Sequence, residues 1–340
     1  MKFVYYNDFS FLDNRFSFYQ MLATVFTSFP ICRVDEGLNK KYCVLDLTFK
    51  PLQFFETDLS IEDVLDSVGN KIIKQKKNMY VCCSGGIDST CILVSLLKNC
   101  NEKITVLFNN HSVEENKGLF ELLKSNNRID FLPCNLKVID TILEDENNIV
   151  LTGTPADIIV EPYIKKEYDN TSYKDYLLHK LFDEFFVLEK YKNKKCLFDF
   201  IEHGEYICSF SPIPIFSVKD FWWWIGMSTM YNGLHHIWHC TTSNSRYPIN
   251  FYDDQLFFDY SINNHIDNKE KMARYNLDYL KDENAVLFYK IKSSKMLDEY
   301  EDNLVCINSN YNKILEKHNR YEYSLKKLIH YKKLISMMDK

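Results

Sequence analysis

Hydrophobic and polar residues along positions 78–160 form a pattern that predicts strands separated by helices. Residues 91–97 and 117–124 have the apolar spacing and the length of helices. Because strands that alternate with helices usually form a parallel sheet covered on both faces, this segment predicts an open α/β fold. The predicted strands are residues 79–83, 103–108, 129–132 and 148–152.

The chain before this segment has a mixed pattern. Residues 41–47 are typical of a strand. Ser60 and Asp63 have the spacing of a capping box, which predicts the start of a helix. Apolar residues follow at helical spacing up to Gly69, which we expect to end that helix. Residues 1–75 are therefore predicted to form a small N-terminal α/β region.

The chain after residue 165 is mostly helical in pattern. Pro212 and Pro214 predict a loop, and the run Trp222–Trp224 follows it. Because three consecutive side chains cannot share one helix face, at least one of these rings should belong to the core. We expect three parts in the chain: the small region at 1–75, an α/β core at 76–165 and a mostly helical region at 166–340.

Composition limits the location of the protein more than its function. The 340 residues carry a net charge of -6, which argues against a surface that grips nucleic acid along its whole length. The 11 cysteines are scattered without a CxxC pair, unlike the disulfide framework of a short secreted chain. The first residues lack the pattern of a signal peptide, and no apolar stretch approaches the roughly 20 residues that span a bilayer. We expect a cytoplasmic protein with reduced thiols and no membrane partner.

The segment Ser84–Ser89, with the sequence SGGIDS, lies between a predicted strand and a predicted helix. Its two glycines let the backbone turn tightly and approach a ligand closely. Asp88 or Ser89 is expected to cap the following helix, whose N terminus favours an anion. The hydroxyls of Ser84, Ser89 and Thr90 are expected to donate to phosphate oxygens. An acid inside a phosphate loop indicates a bridging cation, and Mg²⁺ prefers oxygen ligands and phosphates.

This loop lacks the lysine of the Walker type and instead resembles the SGGxDS loop of the N-type ATP pyrophosphatases. That superfamily includes asparagine synthetase, GMP synthetase, argininosuccinate synthetase, tRNA-lysidine synthetase and NAD synthetase. The resemblance implies an open parallel sheet of the adenine nucleotide alpha hydrolase-like type. It also implies a reaction in which ATP adenylates a carboxylate or carbonyl oxygen, pyrophosphate leaves, and a nucleophile displaces AMP.

A second motif, Val150–Asp157, resembles the L-S-G-E-G-x-D-E segment of the asparagine synthetase branch. This resemblance implies that Asp157 is a second Mg²⁺-binding acid beside Asp88. Cys83 and Phe108 match positions that contact adenine in the superfamily. The full set of residues implied to contact ATP is Cys83, Ser84, Gly85, Gly86, Asp88, Ser89, Thr90, Phe108, Thr152 and Gly153.

The same branch places a catalytic lysine in a helical region downstream of its second motif. Residues 250–264 fall in the corresponding part of this chain. Lys290, or else Lys292, is the lysine expected to stabilise the charged transition state. Together with Asp88 and Asp157, Lys290 completes the predicted catalytic set.

The chain also departs from the asparagine synthetase pattern. Thr154 stands where the branch has a glutamate that acts in proton transfer, and Ile158 replaces a second acid. Position 2 is not a cysteine, and residues 1–75 are too short for a glutaminase domain, so no glutamine-hydrolysing nucleophile is expected. The implied reaction joins a small carboxylate to an amine or ammonia, with a separate protein as one source of the ammonia.

Two alternative hypotheses remain open. The first is tRNA modification similar to lysidine synthesis, in which a basic C-terminal helix binds RNA through Lys326, Lys327, Lys332 and Lys333. The second is a nucleotide-binding protein that has lost catalysis, which Thr154 and Ile158 favour. Cys82 and Cys83 should point to opposite faces of a strand, and this disfavours sulfur transfer to tRNA.

Two segments that contain histidine have chemistry that the loop does not explain. In His235–Cys240, His235 and His239 would share a helix face and could bind zinc, although polar rings lining a pocket are the simpler interpretation. His111 and Glu114 follow the second predicted strand. We expect them either at the mouth of the substrate site or in a solvated loop.

Overall fold

The computed structural model describes residues 54–153, 156, 171–179, 202, 204–230, 246, 248–264 and 268–287. The described residues belong to two compact units. The larger unit contains residues 56–156 and the described residues between 246 and 287. The smaller unit contains residues 54–55 and the described residues between 171 and 230. The predicted strand at 41–47 lies outside the described residues.

A five-stranded parallel sheet forms the centre of the larger unit, in the order β3-β2-β1-β4-β5. The four predicted strands are confirmed within one residue at either end, and the fold is α/β as expected. The fifth strand was not predicted from the sequence. The strands are β1 Asn78–Cys82, β2 Ile104–Phe108, β3 Ile129–Pro133, β4 Asn148–Thr152 and β5 Ile249–Asn250.

Nine α-helices with complete bounds are found in the described residues. They are α1 Ile61–Ile73, α2 Ile87–Asn99, α3 Asn110–Glu115, α4 Lys117–Lys124, α5 Leu136–Glu144, α6 Tyr173–His179, α7 Val218–Ile225, α8 Gln255–Asn263 and α9 Asn268–Leu280. A 3₁₀ turn, Glu283–Ala285, follows α9. Helices α6 and α7 belong to the smaller unit, and α7 continues into a π-helical turn at Gly226–Met230. The other helices belong to the larger unit.

Both faces of the sheet are covered. On one face, Leu107 and Val150 pack against Ile139, Ile142 and Leu143 of α5. Neighbouring strand residues alternate to the other face, where Met79, Val81, Ile149 and Leu151 are also buried. Helix α2 contacts β1 and is packed in turn by α1 and α9. This stacking places α9, which is distant in sequence, against the helix that follows the glycine-rich loop.

Helix α1 begins as predicted but ends later. Ser60 Oγ accepts a hydrogen bond from the Asp63 amide at 3.1 Å, and the capping box is complete. The expectation that Gly69 ends this helix is wrong, because α1 continues to Ile73. A Cβ atom at Gly69 would lie 2.1 Å from Ser95 Oγ of α2, so glycine is required there for the close crossing of the two helices.

The smaller unit has an aromatic core. Tyr173 of α6 stacks on Phe221 of α7 with ring centroids 5.5 Å apart. All three tryptophans of Trp222–Trp224 are buried, which confirms the prediction of a core role, and Trp224 Nε1 donates to Ile207 O at 2.7 Å. The chain has no helical or strand structure around Pro212 and Pro214, where the loop was predicted.

Among the residues that the structure describes, no helix combines the length and the apolar character needed to cross a membrane.

Candidate functional site

The order of the strands creates a switch point between β1 and β4 at the carboxyl ends of the strands. From β1 the chain proceeds to β2 and β3 on one side, and then crosses to β4 on the other side of β1. Open α/β sheets bind ligands at such a switch point, beyond the carboxyl ends of the two central strands. The loop that starts at Ser84 follows β1, and Gly153 follows β4. The SGGIDS loop and Gly153 of the second motif therefore lie where sheets of this class bind ligands.

The loop after β1 turns sharply at its two glycines. Gly85 has φ +85°, in the left-handed region that glycine adopts without strain, and a Cβ there would lie 2.6 Å from Ser112 O. Gly86 is the N-cap of α2, with extended backbone angles and no side-chain cap. The prediction that Asp88 or Ser89 caps the helix is wrong, because α2 begins at Ile87. The amides of the first turn face the loop without a capping side chain, which favours an anion.

The three loop hydroxyls differ in exposure and in partners. Ser84 is exposed, and its Oγ accepts from Gly86 N at 3.2 Å. Ser89 and Thr90 are buried, and both hydroxyls donate to Gly86 O, at 3.1 and 2.8 Å. Ser89 and Thr90 thus hold the loop from its buried side, while Ser84 lies on its solvent-exposed side. Their predicted contacts with phosphate remain predictions.

The two motifs meet in space. A Cβ at Gly153 would lie 3.4 Å from Ser89 N and 3.5 Å from Asp88 Cβ, so the backbone after β4 packs against the first turn of α2. Thr152 is buried at the end of β4, and its backbone carbonyl accepts from Phe251 N at 3.0 Å. The carbonyl of Gly153 accepts a hydrogen bond from Ala156 N at 3.0 Å. Asp157, the predicted partner of Asp88 in metal binding, lies outside the described residues.

Asp88 has a lysine partner that the sequence did not indicate. Lys269, in the first turn of α9, donates to Asp88 Oδ1, and both side chains are about four-fifths buried. Tyr252 Oη donates to the backbone carbonyl of Asp88 at 2.9 Å. Lys269 is separated from Asp88 by 181 residues, and no local pattern distinguishes it from the other lysines of the chain. The packing of α9 on α2 brings the pair together.

The predicted adenine-contacting residues lie at the ends of β1 and β2. Cys83 is buried, and burial is the main reason that the pKa of its thiol rises to about 11. The thiol is therefore neutral at ordinary pH and poorly suited to nucleophilic chemistry. Phe108 is half-buried and packs against Phe120 and Phe131, with centroid distances of 5.6 and 5.5 Å. Three phenylalanine rings therefore pack together beside the carboxyl end of β2.

Neighbouring cysteines behave as the strand pattern predicted. Cys82 packs with the α5 side of the sheet, near Cys134 and Val138, whereas Cys83 meets Ser89 Oγ at 3.9 Å. The two thiols point to opposite faces and cannot act as a pair. A hydrogen bond with Cys134, together with burial, raises the pKa of Cys82 well above its ordinary value.

His111 and Glu114 do not lie in a solvated loop. They lie on α3, an element that was not predicted, and their side chains approach each other to 3.5 Å between Nδ1 and Oε2. Helix α3 is capped by Asn109, which directly follows β2. The pair is thus near the carboxyl end of β2, at the same edge of the sheet as the glycine-rich loop.

Several predicted residues lie outside the part of the chain that the structure describes. They are Lys290 and Lys292, Thr154 and Ile158, the segment His235–Cys240, and the C-terminal lysines Lys326, Lys327, Lys332 and Lys333. Within the described part, no group of three or more His, Cys, Asp or Glu side chains is arranged to hold a metal ion.

No model of a known protein family matches the chain, and a search of curated proteins also gives no match. The candidate site is therefore defined by the two motifs, which meet at the switch point of the sheet, and by the side chains that surround them.

Proposed function

We propose that this protein is an ATP pyrophosphatase that adenylates a small carboxylate, and that its sheet is of the adenine nucleotide alpha hydrolase-like type. The observation that carries the proposal is the position of the SGGIDS loop, between β1 and an α2 N terminus without a side-chain cap, at the switch point of a parallel sheet. Phosphates bind such helix termini through backbone amides and the helix dipole. The proximity of Gly153 to Asp88 adds the second motif to the same site.

The charges at the loop fit a triphosphate that binds with a cation. Asp88 places a carboxylate in the first turn of α2, where it would repel phosphate unless a positive charge lies between them. Its oxygens are the ligand type that Mg²⁺ takes, so Asp88, with Asp157 as the second predicted ligand, is where the ion would be held. The bound ion would supply charge neutralisation for the pyrophosphate that leaves.

Lys269 is the better supported candidate for the catalytic lysine that the sequence assigned to Lys290. Its ammonium group already contacts a loop carboxylate from the first turn of α9. If Asp88 held Mg²⁺, the Lys269 ammonium would still lie beside the loop and could donate to phosphate oxygens. A fixed positive charge at that point stabilises the negative charge that develops at the α-phosphorus.

The substrates are proposed from the resemblance to the asparagine synthetase branch. They are a small carboxylate, which takes AMP, and an amine or ammonia that displaces it, with a separate protein as one source of ammonia. The neutral thiol of Cys83 argues against a sulfur nucleophile from the chain at this position.

The test is a screen for pyrophosphate release with ATP and Mg²⁺ over a panel of amino acids and other carboxylates, with and without ammonia. One carboxylate should raise pyrophosphate release well above the rate with ATP alone, and ATP–pyrophosphate exchange should need that carboxylate but not ammonia. Release of ADP and inorganic phosphate in place of AMP and pyrophosphate would contradict the proposal.

A second candidate function is nucleotide binding without catalysis. The observation that favours it is the Lys269 contact with Asp88, because a lysine already neutralises the carboxylate that would hold the metal. In that case ATP should bind equally well with Mg²⁺ and with EDTA, and no carboxylate should produce pyrophosphate. Binding that depends on Mg²⁺ would exclude this candidate.

A further inference from the structure

The peptide between Gly85 and Gly86 is held from its buried side by one side chain. Asn116 is 4% exposed, and its Nδ2 donates to Gly85 O at 3.2 Å. The same Nδ2 donates to Ala285 O at 3.1 Å, in the 3₁₀ turn that follows α9. Asn116 Oδ1 accepts from Leu119 N at 3.0 Å and caps α4. One amide group thus joins the loop, α4 and the 3₁₀ turn that follows α9.

The planarity of the peptide gives this contact a consequence for the ligand side of the loop. In a trans peptide the carbonyl and the N–H point in opposite directions. Asn116 donates to Gly85 O from the buried side of the loop. The N–H of Gly86 therefore points toward the exposed Ser84 and donates to its Oγ at 3.2 Å. Rotation of this peptide by half a turn would place a carbonyl oxygen where an anion is to bind.

The glycine pair makes such a rotation easy unless something prevents it. Two glycines have no Cβ to restrict the peptide between them, and Gly85 already has φ +85°. Ser89 and Thr90 donate to the Gly86 carbonyl, which belongs to the next peptide, and the exposed Ser84 accepts from Gly86 N on the open side of this one. Among the side-chain hydrogen bonds in the described part of the chain, the one from Asn116 fixes the orientation of the Gly85 carbonyl.

We propose that Asn116 is a positioning residue for nucleotide binding, which locks the Gly85–Gly86 peptide with its N–H toward the β- and γ-phosphates of ATP. This inference rests on the proposed function, since it assumes that the loop binds those phosphates. Asn116 Nδ2 also donates to Ala285 O, so the same amide group connects the loop to the 3₁₀ turn that follows α9.

The test measures the dissociation constants of ATP with Mg²⁺, of inorganic pyrophosphate and of AMP for the full chain and its variants. Asn116→Asp has the same shape and still caps α4, but it cannot donate to Gly85 O. We expect ATP and pyrophosphate to bind at least about tenfold more weakly to this variant, the effect of losing a hydrogen bond to a charged group. The dissociation constant of AMP, which lacks the β- and γ-phosphates, should change less than about threefold. Asn135→Asp is the matched control, because Asn135 caps α5 through Val138 N and has no contact with the loop among its hydrogen bonds.

Asn116→Ser is the second variant, because serine is a good cap that is too short to reach Gly85 O. This variant should also bind ATP more weakly while its affinity for AMP changes little. Far-ultraviolet circular dichroism should show that it is folded. Equal losses for ATP and AMP, or binding like that of the unaltered chain, would overturn the role of Asn116 and leave the proposed function intact. Failure of both variants to fold would assign Asn116 to structure alone and would also overturn it. Failure of the unaltered chain to bind ATP and pyrophosphate would overturn the proposed function and this inference together.

Discussion

Lys269, in the first turn of α9, forms an ion pair with Asp88, in the first turn of α2, across 181 residues of sequence. Both side chains are mostly buried, so the pair is weakly screened by solvent. It places opposite charges beside a helix N terminus that is expected to bind an anion. Three predictions on the loop depend on the two residues or on the backbone around them.

Asp88→Asn should abolish ATP–pyrophosphate exchange, because the neutral amide cannot hold Mg²⁺ at the loop. The matched control is Asp130→Asn, which breaks the exposed pair of Asp130, in the edge strand β3, with Lys103, directly before β2, at 3.3 Å. That control should keep full exchange activity, because exposed pairs contribute little to stability. Radiolabelled pyrophosphate incorporation into ATP measures both variants. An active Asp88→Asn protein would remove Asp88 from the catalytic set.

Lys269→Met should lower the rate of pyrophosphate formation by about 10²-fold, the usual effect of removing one group that stabilises a charged transition state. The KM for ATP should change much less than kcat if the charge acts in the transition state. Lys269→Arg keeps the charge and is the control, although its planar group fits the site differently. A KM effect alone, with kcat unchanged, would assign Lys269 to ground-state binding.

Gly85 and Gly153 both lie beside the first turn of α2, but substitution by alanine should lower stability at Gly85 and leave it unchanged at Gly153. Gly85→Ala introduces a left-handed residue and a Cβ 2.6 Å from Ser112 O, and it should destabilise the fold by about 3 kcal/mol. At Gly153 the nearest atoms to a Cβ are at 3.4 Å, an ordinary contact, so Gly153→Ala should unfold at the same urea concentration as the unaltered chain. Equal midpoints for the two variants would contradict the tight packing of the loop.

The sequence allowed the sheet to be predicted because each of its four longer strands is a compact apolar run with helical patterns between the runs. It did not predict β5, since two residues at 249–250 carry no periodicity and their pairing with β4 depends on the rest of the fold. The glycine-rich loop was predictable because its chemistry is contiguous in sequence. Lys269 and Asn116 were missed because their contacts with the loop come from the packing of α9 and α4.

Gly69 shows the same limit at a smaller scale. A glycine near the end of an apolar pattern usually marks a helix C terminus, and this expectation ignores what lies against the helix. Here the glycine permits Ser95 of α2 to approach, and Ser95 Oγ donates to Leu65 O at 2.7 Å. A local pattern cannot distinguish these two uses of glycine.

The crossing at Gly69 gives a prediction of its own. Gly69→Ala alone should destabilise the protein by about 1–2 kcal/mol, because the clash with Ser95 Oγ outweighs the gain of about 1 kcal/mol in helix propensity. In a Ser95→Ala background the nearest atoms are 3.3 Å from the new Cβ, and the same change should be close to neutral. A double-mutant cycle from urea unfolding should give a coupling of about 1 kcal/mol or more. Additive effects would show that the helices move apart at little cost.

The buried thiol of Cys83 predicts how stability depends on pH. Burial is the first cause that raises its pKa from the ordinary 9.0 to about 11 in the folded protein. The folded state therefore retains the proton more strongly than the unfolded state, and the resulting stabilisation is complete below pH 9 and lost as the pH rises to about 11. A shift of this size corresponds to about 3 kcal/mol.

Urea unfolding of the unaltered chain and of Cys83→Ala at several pH values measures this contribution. The difference in unfolding free energy between the two proteins should be constant from pH 7 to pH 8, since the thiol is protonated in both states there. As the pH rises from 9 to 11, the unfolding free energy of the unaltered chain should fall more than that of Cys83→Ala. The extra fall should be on the order of 3 kcal/mol, the value that corresponds to the pKa shift. Groups that do not interact with Cys83 titrate equally in both proteins, so their contributions cancel in the comparison. A difference that stays constant up to pH 11 would show that the Cys83 thiol is not held neutral by the fold.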